Sequence, residues 1–201
     1  NQVECGMILV ATGRRPQTGG LGLEAVGLTT NAQGFLEVDN NYQTSVAGIY
    51  AIGDLIPGPM LAHKASDEGV VCVERMAGQQ ASLNYNAIPA VTYTHPEVAS
   101  VGRSEAGLQA DGIPFAAGKF YFAASGRALA TGETEGFIKV LADPESGRIH
   151  GIHIIGPQAS ELIAEATTVI NFGGSVHDMA VTCHAHPTLA EMVKEAAEDI
   201  A

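Results

Sequence analysis

The runs Met7-Ile8-Leu9-Val10-Ala11 and Gly48-Ile49-Tyr50-Ala51-Ile52 are short and apolar throughout, and Thr12-Gly13 and Gly53-Asp54 close them. An apolar run of this length without alternation reads as a strand buried on both faces, as in parallel sheets covered by helices. Residues 1–80 are therefore expected to be α/β. Between the two runs, residues 14–40 are rich in Gly, Thr and Asn and are expected to carry little regular structure. After the second run, Leu55–Met60 reads as a Pro/Gly loop. Ala62–Met76 reads as a helix with Ala65, Val70, Val73 and Met76 on one apolar face and Gly78 at its C-terminal cap.

The composition shifts at residues 81–89, the expected linker, and the pattern then changes to strands followed by helices. Ala90–Tyr93 and Val98–Val101 read as strands flanking His95-Pro96, Ser104–Ala110 as a helix and Phe115–Ala123 as a strand. Gly136–Leu141 and Arg148–Ile155 form a hairpin across Asp143-Pro-Glu-Ser-Gly147, where Asp and Pro open a type I turn and Gly147 supplies the left-handed residue. A helix is expected from Pro157 through Ile170, closed by Gly173-Gly174, and a last helix after His186-Pro187. Residues 81–201 are thus expected to form an α+β layer.

Composition narrows the function. With 22 acidic against 10 basic residues the net charge is −12, unsuited to holding phosphate backbones, so no nucleic-acid partner is expected. Cys5, Cys72 and Cys183 are far apart and form neither a disulfide framework nor a metal-ligand pattern. That suggests a reducing compartment, taken here as the cytoplasm, and no metal. No apolar run reaches the 18 or so residues of a membrane span, and no leader is visible. The chain opens at Asn1 as if in mid-domain, which reads as a truncation.

Three stretches can carry chemistry. In Gly48–Asp54 a carboxylate follows a glycine at the end of an apolar run, a position suited to a hydroxyl-bearing cofactor chain, though equally the usual place of a turn or cap residue. In Gly58-Pro-Met-Leu-Ala-His-Lys-Ala65 a loop delivers a helix start, where the N–H groups of Leu61, Ala62 and His63 favour negative charge, or where a helix merely begins. In Cys183-His-Ala-His-Pro-Thr-Leu-Ala-Glu191, Thr188-x-x-Glu191 is a capping box that bends Glu191 back toward His186. A carboxylate beside an imidazole fixes its tautomer and raises its basicity, as a general acid/base requires; plain capping is the alternative. A thiol nucleophile or metal cluster at Cys183 is the remoter possibility.

Taken together, "ATGRRP", "GIYAIGD", "GPMLAHKASDEG", "PAVTYTHPEVASVG" and "HAHPTLAE" resemble, in order and over essentially the whole chain, the flavoprotein pyridine-nucleotide disulfide oxidoreductases. His-x-His-Pro-Thr together with MLAHKA points to their dihydrolipoamide dehydrogenase branch. The resemblance implies an α/β remnant of the FAD- and NAD-binding domains in residues 1–80, followed by an α+β interface (dimerisation) domain in residues 81–201. It implies that Gly13 lies near NAD, that Asp54 binds the FAD ribityl chain, and that Met60, Leu61, Ala62 and His63 approach the flavin ring. It further implies that His186 accepts the thiol proton, that Glu191 orients it, and that residues 81–201 form a homodimer. A basic subunit-binding domain of a 2-oxo acid dehydrogenase complex is a second implied partner. The family's Gly-rich flavin motif, its Gly-rich NAD loop and its Cys-x4-Cys are absent from these 201 residues. The chain alone is therefore expected to bind no stoichiometric FAD and to be inactive, or else to serve only as a dimerisation module.

Overall fold

The computed structural model describes residues 2–201, which form two compact units, one ending at Leu83 and the other Asn84–Ala201.

The second unit is built on a five-stranded antiparallel sheet of β1 (Ala90–Thr92), β2 (Glu97–Gly102), β3 (Ala116–Tyr121), β4 (Phe137–Ala142) and β5 (Ile149–Gly156), in the order β1-β2-β5-β4-β3. The β4–β5 hairpin is the expected one, with Gly147 at φ 69°. Alternation points Val101, Ile138, Val140, Ile152 and Ile154 into a core where each is at most 1% exposed. Helix α4 (Ala159–Asn171) covers β2 and β5 with Ala159, Ile163, Ala166 and Ile170, which recur at helical spacing. Helix α6 (Glu191–Glu198) covers β3 and β4 with Met192, Val193, Ala196 and Ala197. It lies so close to β3 that a Cβ on Gly118 would stand 2.2 Å from the Ala196 carbonyl oxygen. The Lys119 N–H donates to Asp199 Oδ2 at 3.0 Å, and the Ser160 N–H, at the start of α4, donates to Glu97 Oε2 at 2.9 Å.

Three smaller α-helices and two 3₁₀ turns, Tyr85–Ala87 and Phe122–Ala124, complete this unit. α2 (Glu105–Ala110) lies within the expected Ser104–Ala110, with Ser104 as its cap. α3 (Gly126–Thr131) and α5 (Val176–Val181) were not expected from the sequence. Each is six residues long, too short to show a helical period, but each has a serine cap, and Ser175 with Asp178 forms a full capping box. Helix α4 begins two residues after Pro157, because Gln158 adopts φ 55°. The Thr188 box forms only in half. Its N–H donates to Glu191 Oε2 at 2.8 Å, but its hydroxyl turns to the Ala185 carbonyl, and α6 opens at Glu191.

The first unit departs further from expectation. Met7–Val10 forms no strand and is 75–89% exposed, since no strand among the described residues offers it a ladder. The second apolar run is not a parallel strand either. It turns back on the residues just before it, with Thr44 N–H to Ile49 O at 2.9 Å and Ala51 N–H to Tyr42 O at 3.0 Å. Helix α1 (Ala62–Met76) spans the expected residues, and Gly78 follows its cap with φ 79°. Its buried face is different, however: Lys64, Glu68, Val71 and Cys72 point inward, while Val70, Val73 and Met76 are more than half exposed. Lys64 and Glu68 can be buried because each satisfies the other. A small core of Leu28, Leu36, Tyr42, Ala51, Ile56, Val71 and Cys72 holds this unit together.

Candidate functional site

The loop between α5 and α6 carries His186, whose peptide bond to Pro187 is cis. Its Nδ1 lies 2.9 Å from Glu191 Oε1, while Oε2 of the same carboxylate accepts the Thr188 N–H. The carboxylate is thus fixed by the helix start and presents one oxygen to the ring. Donation from Thr188, and then the bond to His186, hold the Glu191 carboxyl below the usual carboxylate range, so it is ionised at neutral pH. An ionised acceptor at Nδ1 selects the tautomer with its proton there and leaves Nε2 as the proton-accepting nitrogen. The His186 side chain is 79% exposed and Glu191 25%, so the base is open to an incoming group while its partner is sheltered.

A second imidazole in this loop was missed as a paired residue. His184 Nε2 lies 2.8 Å from Glu165 Oε1 on α4, and Nδ1 lies 3.0 Å from the Thr182 carbonyl oxygen. The sequence signal was there, two histidines two residues apart, but Glu165 is distant in sequence and only the packing of α4 reveals it. Cys183 is exposed, with its sulfur 3.9 Å from the His184 carbonyl oxygen, and Glu191 is engaged with His186. Nothing here assembles a thiol nucleophile. No cluster of His, Cys, Asp or Glu among the described residues could hold a metal.

The remaining sequence candidates lie in the first unit. Asp54 is exposed on a 3₁₀ turn, directly after Gly53 with φ 68°. The position of Gly53 is set by a buried clamp: its N–H donates to Glu68 Oε2 at 2.7 Å and its carbonyl accepts from Lys64 Nζ at 3.3 Å. Lys64 Nζ and Glu68 Oε1 are 2.9 Å apart, both side chains fully buried. Any side chain at Gly53 would meet Ala65 Cβ at 2.9 Å. Met60 and Leu61 are partly buried, Ala62 and His63 exposed, and the start of α1 has no side-chain cap. The Leu61 N–H is not available to a ligand, contrary to expectation, because it donates to Pro59 O at 3.1 Å. A clamped turn presenting a carboxylate, followed by an uncapped helix start, fits a cofactor with a hydroxylated chain and an anionic ring. Gly13, with φ 95°, lies in exposed irregular backbone with nothing within 4 Å of the place of a Cβ.

The chain is similar to known proteins along its length. The profile of the pyridine nucleotide-disulphide oxidoreductase dimerisation domain matches residues 88–197, and that of the pyridine nucleotide-disulphide oxidoreductase domain matches residues 1–69. It is 51% identical to a mitochondrial dihydrolipoyl dehydrogenase of Caenorhabditis elegans over 194 residues, 96% of this chain and 39% of that protein. Against the mitochondrial dihydrolipoyl dehydrogenase of Mus musculus it is 50% identical, over 96% of this chain and 38% of that protein. Among solved structures, LpdA from Mycobacterium tuberculosis superposes with a TM-score of 0.86 at 29% identity, over 92% of this chain and 40% of that one. The chain therefore spans about two fifths of the length of the relatives it matches. Their mitochondrial setting overturns the cytoplasmic expectation; free cysteines are equally compatible with any reducing compartment and could not separate the two. With the dimerisation profile alone covering more than half of it, the chain belongs to the pyridine nucleotide-disulphide oxidoreductase family.

Proposed function

We propose that this chain is the proton-handling and dimerising portion of a dihydrolipoamide dehydrogenase, acting on the dihydrolipoyl dithiol with FAD and NAD. The observation that carries the reading is the His186–Glu191 pair, with its sheltered carboxylate and exposed imidazole. In this reading His186 Nε2 takes the proton of a substrate thiol and makes it a thiolate. Glu191 keeps the acceptor nitrogen turned outward and stabilises the imidazolium that results. Asp54 and the α1 start, at Met60, Leu61, Ala62 and His63, would hold FAD, which supplies the electron-accepting ring when bound; Gly13 would lie toward NAD. Residues 81–201 would form the homodimer, supported by the dimerisation profile. The acidic balance of the chain suits a basic subunit-binding domain as a further partner.

The test is made in a full-length protein carrying this segment. His186→Gln is expected to slow dihydrolipoamide oxidation by about a hundredfold or more, the scale of a general base. Glu191→Gln is expected to slow it less, and flavin content should be unchanged in both. Near-normal turnover in His186→Gln would leave the segment as a helix cap only.

A further inference from the structure

We propose that His184 and Glu165 form a second, inner proton-holding pair that positions the loop from which His186 projects; this rests on the reading of His186 as the base. Both ring nitrogens of His184 face acceptors, the Thr182 carbonyl oxygen at 3.0 Å and Glu165 Oε1 at 2.8 Å. A carbonyl only accepts, an ionised carboxylate only accepts, and a neutral imidazole has a single N–H to give. Both bonds are made together only when the pair holds one proton more than a neutral ring and a carboxylate carry, so that each nitrogen donates. The His184 side chain is 8% exposed, which leaves little room for water to take over either bond.

The two pairs in the loop differ in what they are open to. His186, 79% exposed, can exchange its proton with an incoming thiol, whereas His184 is shut in. Glu165 belongs to α4, whose Ile163, Ala166 and Ile170 are set into the core, so the inner pair ties residues 182–184 to a rigid element. Glu165 faces it from α4, Glu191 on α6 feels its charge, and Cys183 and His186 share its loop. The positive charge of His184 reaches Glu191, where it adds a minor contribution to keeping that carboxylate ionised. The inner pair thus fixes the loop and favours the charge that orients the base. His184 and Glu165 are positioning residues with no substrate contact.

The experiment is nitrogen-15 NMR of the histidine side chains in the chain itself at pH 7, with Glu165→Gln beside it. In the native chain both nitrogens of His184 are expected to carry protons. In Glu165→Gln the carboxamide can donate to Nε2, so the contact survives while the extra proton leaves, and His184 should become a neutral ring protonated at Nδ1. A purely structural contact would not change protonation in this way. In the full-length protein, Glu165→Gln should lower kcat for dihydrolipoamide roughly tenfold with KM little changed, as expected of a displaced base. A native His184 with one bare nitrogen, or wild-type kcat in Glu165→Gln, would overturn the proposal. Normal turnover in His186→Gln would instead remove the functional reading and leave the NMR result standing, so the two failures can be told apart.

Discussion

The unit from Asn84 onward builds a complete five-stranded sheet and covers one face with α4 and α6, around a core of Ile138, Val140, Ile152, Ile163 and Met192. The unit ending at Leu83 has one long helix, short turns and a small core, and at its centre an ion pair grips the backbone of a single glycine. Met7–Val10 of this unit stays open to solvent. The second unit is organised to be stable, whereas the first is organised to hold one turn, Gly53-Asp54, in a fixed place. Each unit holds one carboxylate in a fixed place, Glu191 by a helix start at the surface and Glu68 by a lysine in the interior.

The largest effect expected from this contrast comes from cutting the chain between the units. Residues 84–201 alone should unfold in one cooperative transition and self-associate, as an antiparallel sheet with a complete apolar core allows. Residues 1–83 alone should give no cooperative melt, because their core is small for the length of chain that it must order. Circular dichroism melts and light scattering of the two pieces check this. A sharp melt for residues 1–83 would abolish the distinction.

Single substitutions sharpen it. Ile152→Ala, in the core of the second unit, should cost about 2–5 kcal/mol. Lys64→Met in the first should cost about 3–5 kcal/mol there, because it strands the Glu68 carboxylate in the interior. Lys64→Met with Glu68→Gln should recover much of that, since the new amide oxygen still accepts the Gly53 N–H. Leu9→Ser, at an exposed apolar position, should change stability by less than about 0.5 kcal/mol. Denaturant titration reports the first of these and exchange of the Gly53 amide the second; an ion pair whose loss leaves that amide protected would be packing, not clamp.

The same contrast explains what could be read from the sequence. The second unit was legible because its signals are local: Asp143 and Gly147 at the turn between β4 and β5, Thr188 and Glu191 at the loop. What failed there were the short helices α3 and α5, although α2, of the same length, was read. In the first unit the apolar runs suggested strands, but a strand needs a neighbour, and Ile49 and Ala51 found theirs in Tyr42–Thr44. The inward face of α1 was misread because charge normally marks a solvated face, and Lys64 and Glu68 escape that rule only as a pair. His186 and Glu191 were legible because they are close in sequence and one half of the expected box, the Thr188 N–H to Glu191, does form and turns the carboxylate back. Glu165 was not, because nothing in a helix sequence says which loop will lie over it.

A further small effect concerns pH. Glu97 accepts the Ser160 N–H at the start of α4, and that backbone bond is the main reason its carboxyl is held below the ordinary range. Donors from the Ser146 and Ser175 segments do the same for Asp143 and Asp178, and Thr188 for Glu191, all in the second unit. A carboxyl whose folded value is depressed stabilises the fold above its unfolded value, and that stability is lost as pH falls through the folded one. These carboxyls should therefore leave the stability of residues 84–201 unchanged through neutral pH and lower it below about pH 4, where ordinary carboxyls begin to protonate, while His153, whose pKa burial pushes down, weakens the fold as pH falls below the ordinary histidine range. Glu97→Gln keeps an oxygen for the Ser160 N–H but removes the charge at the helix start, which at low salt contributes about 0.5 kcal/mol. The mutant should be less stable than the native protein at pH 7 by that amount, and the two curves should converge as the pH falls to 3. Curves that stay parallel down to pH 3 would mean that Glu97 acts through its hydrogen bond alone and that its charge contributes nothing to holding β2 against α4.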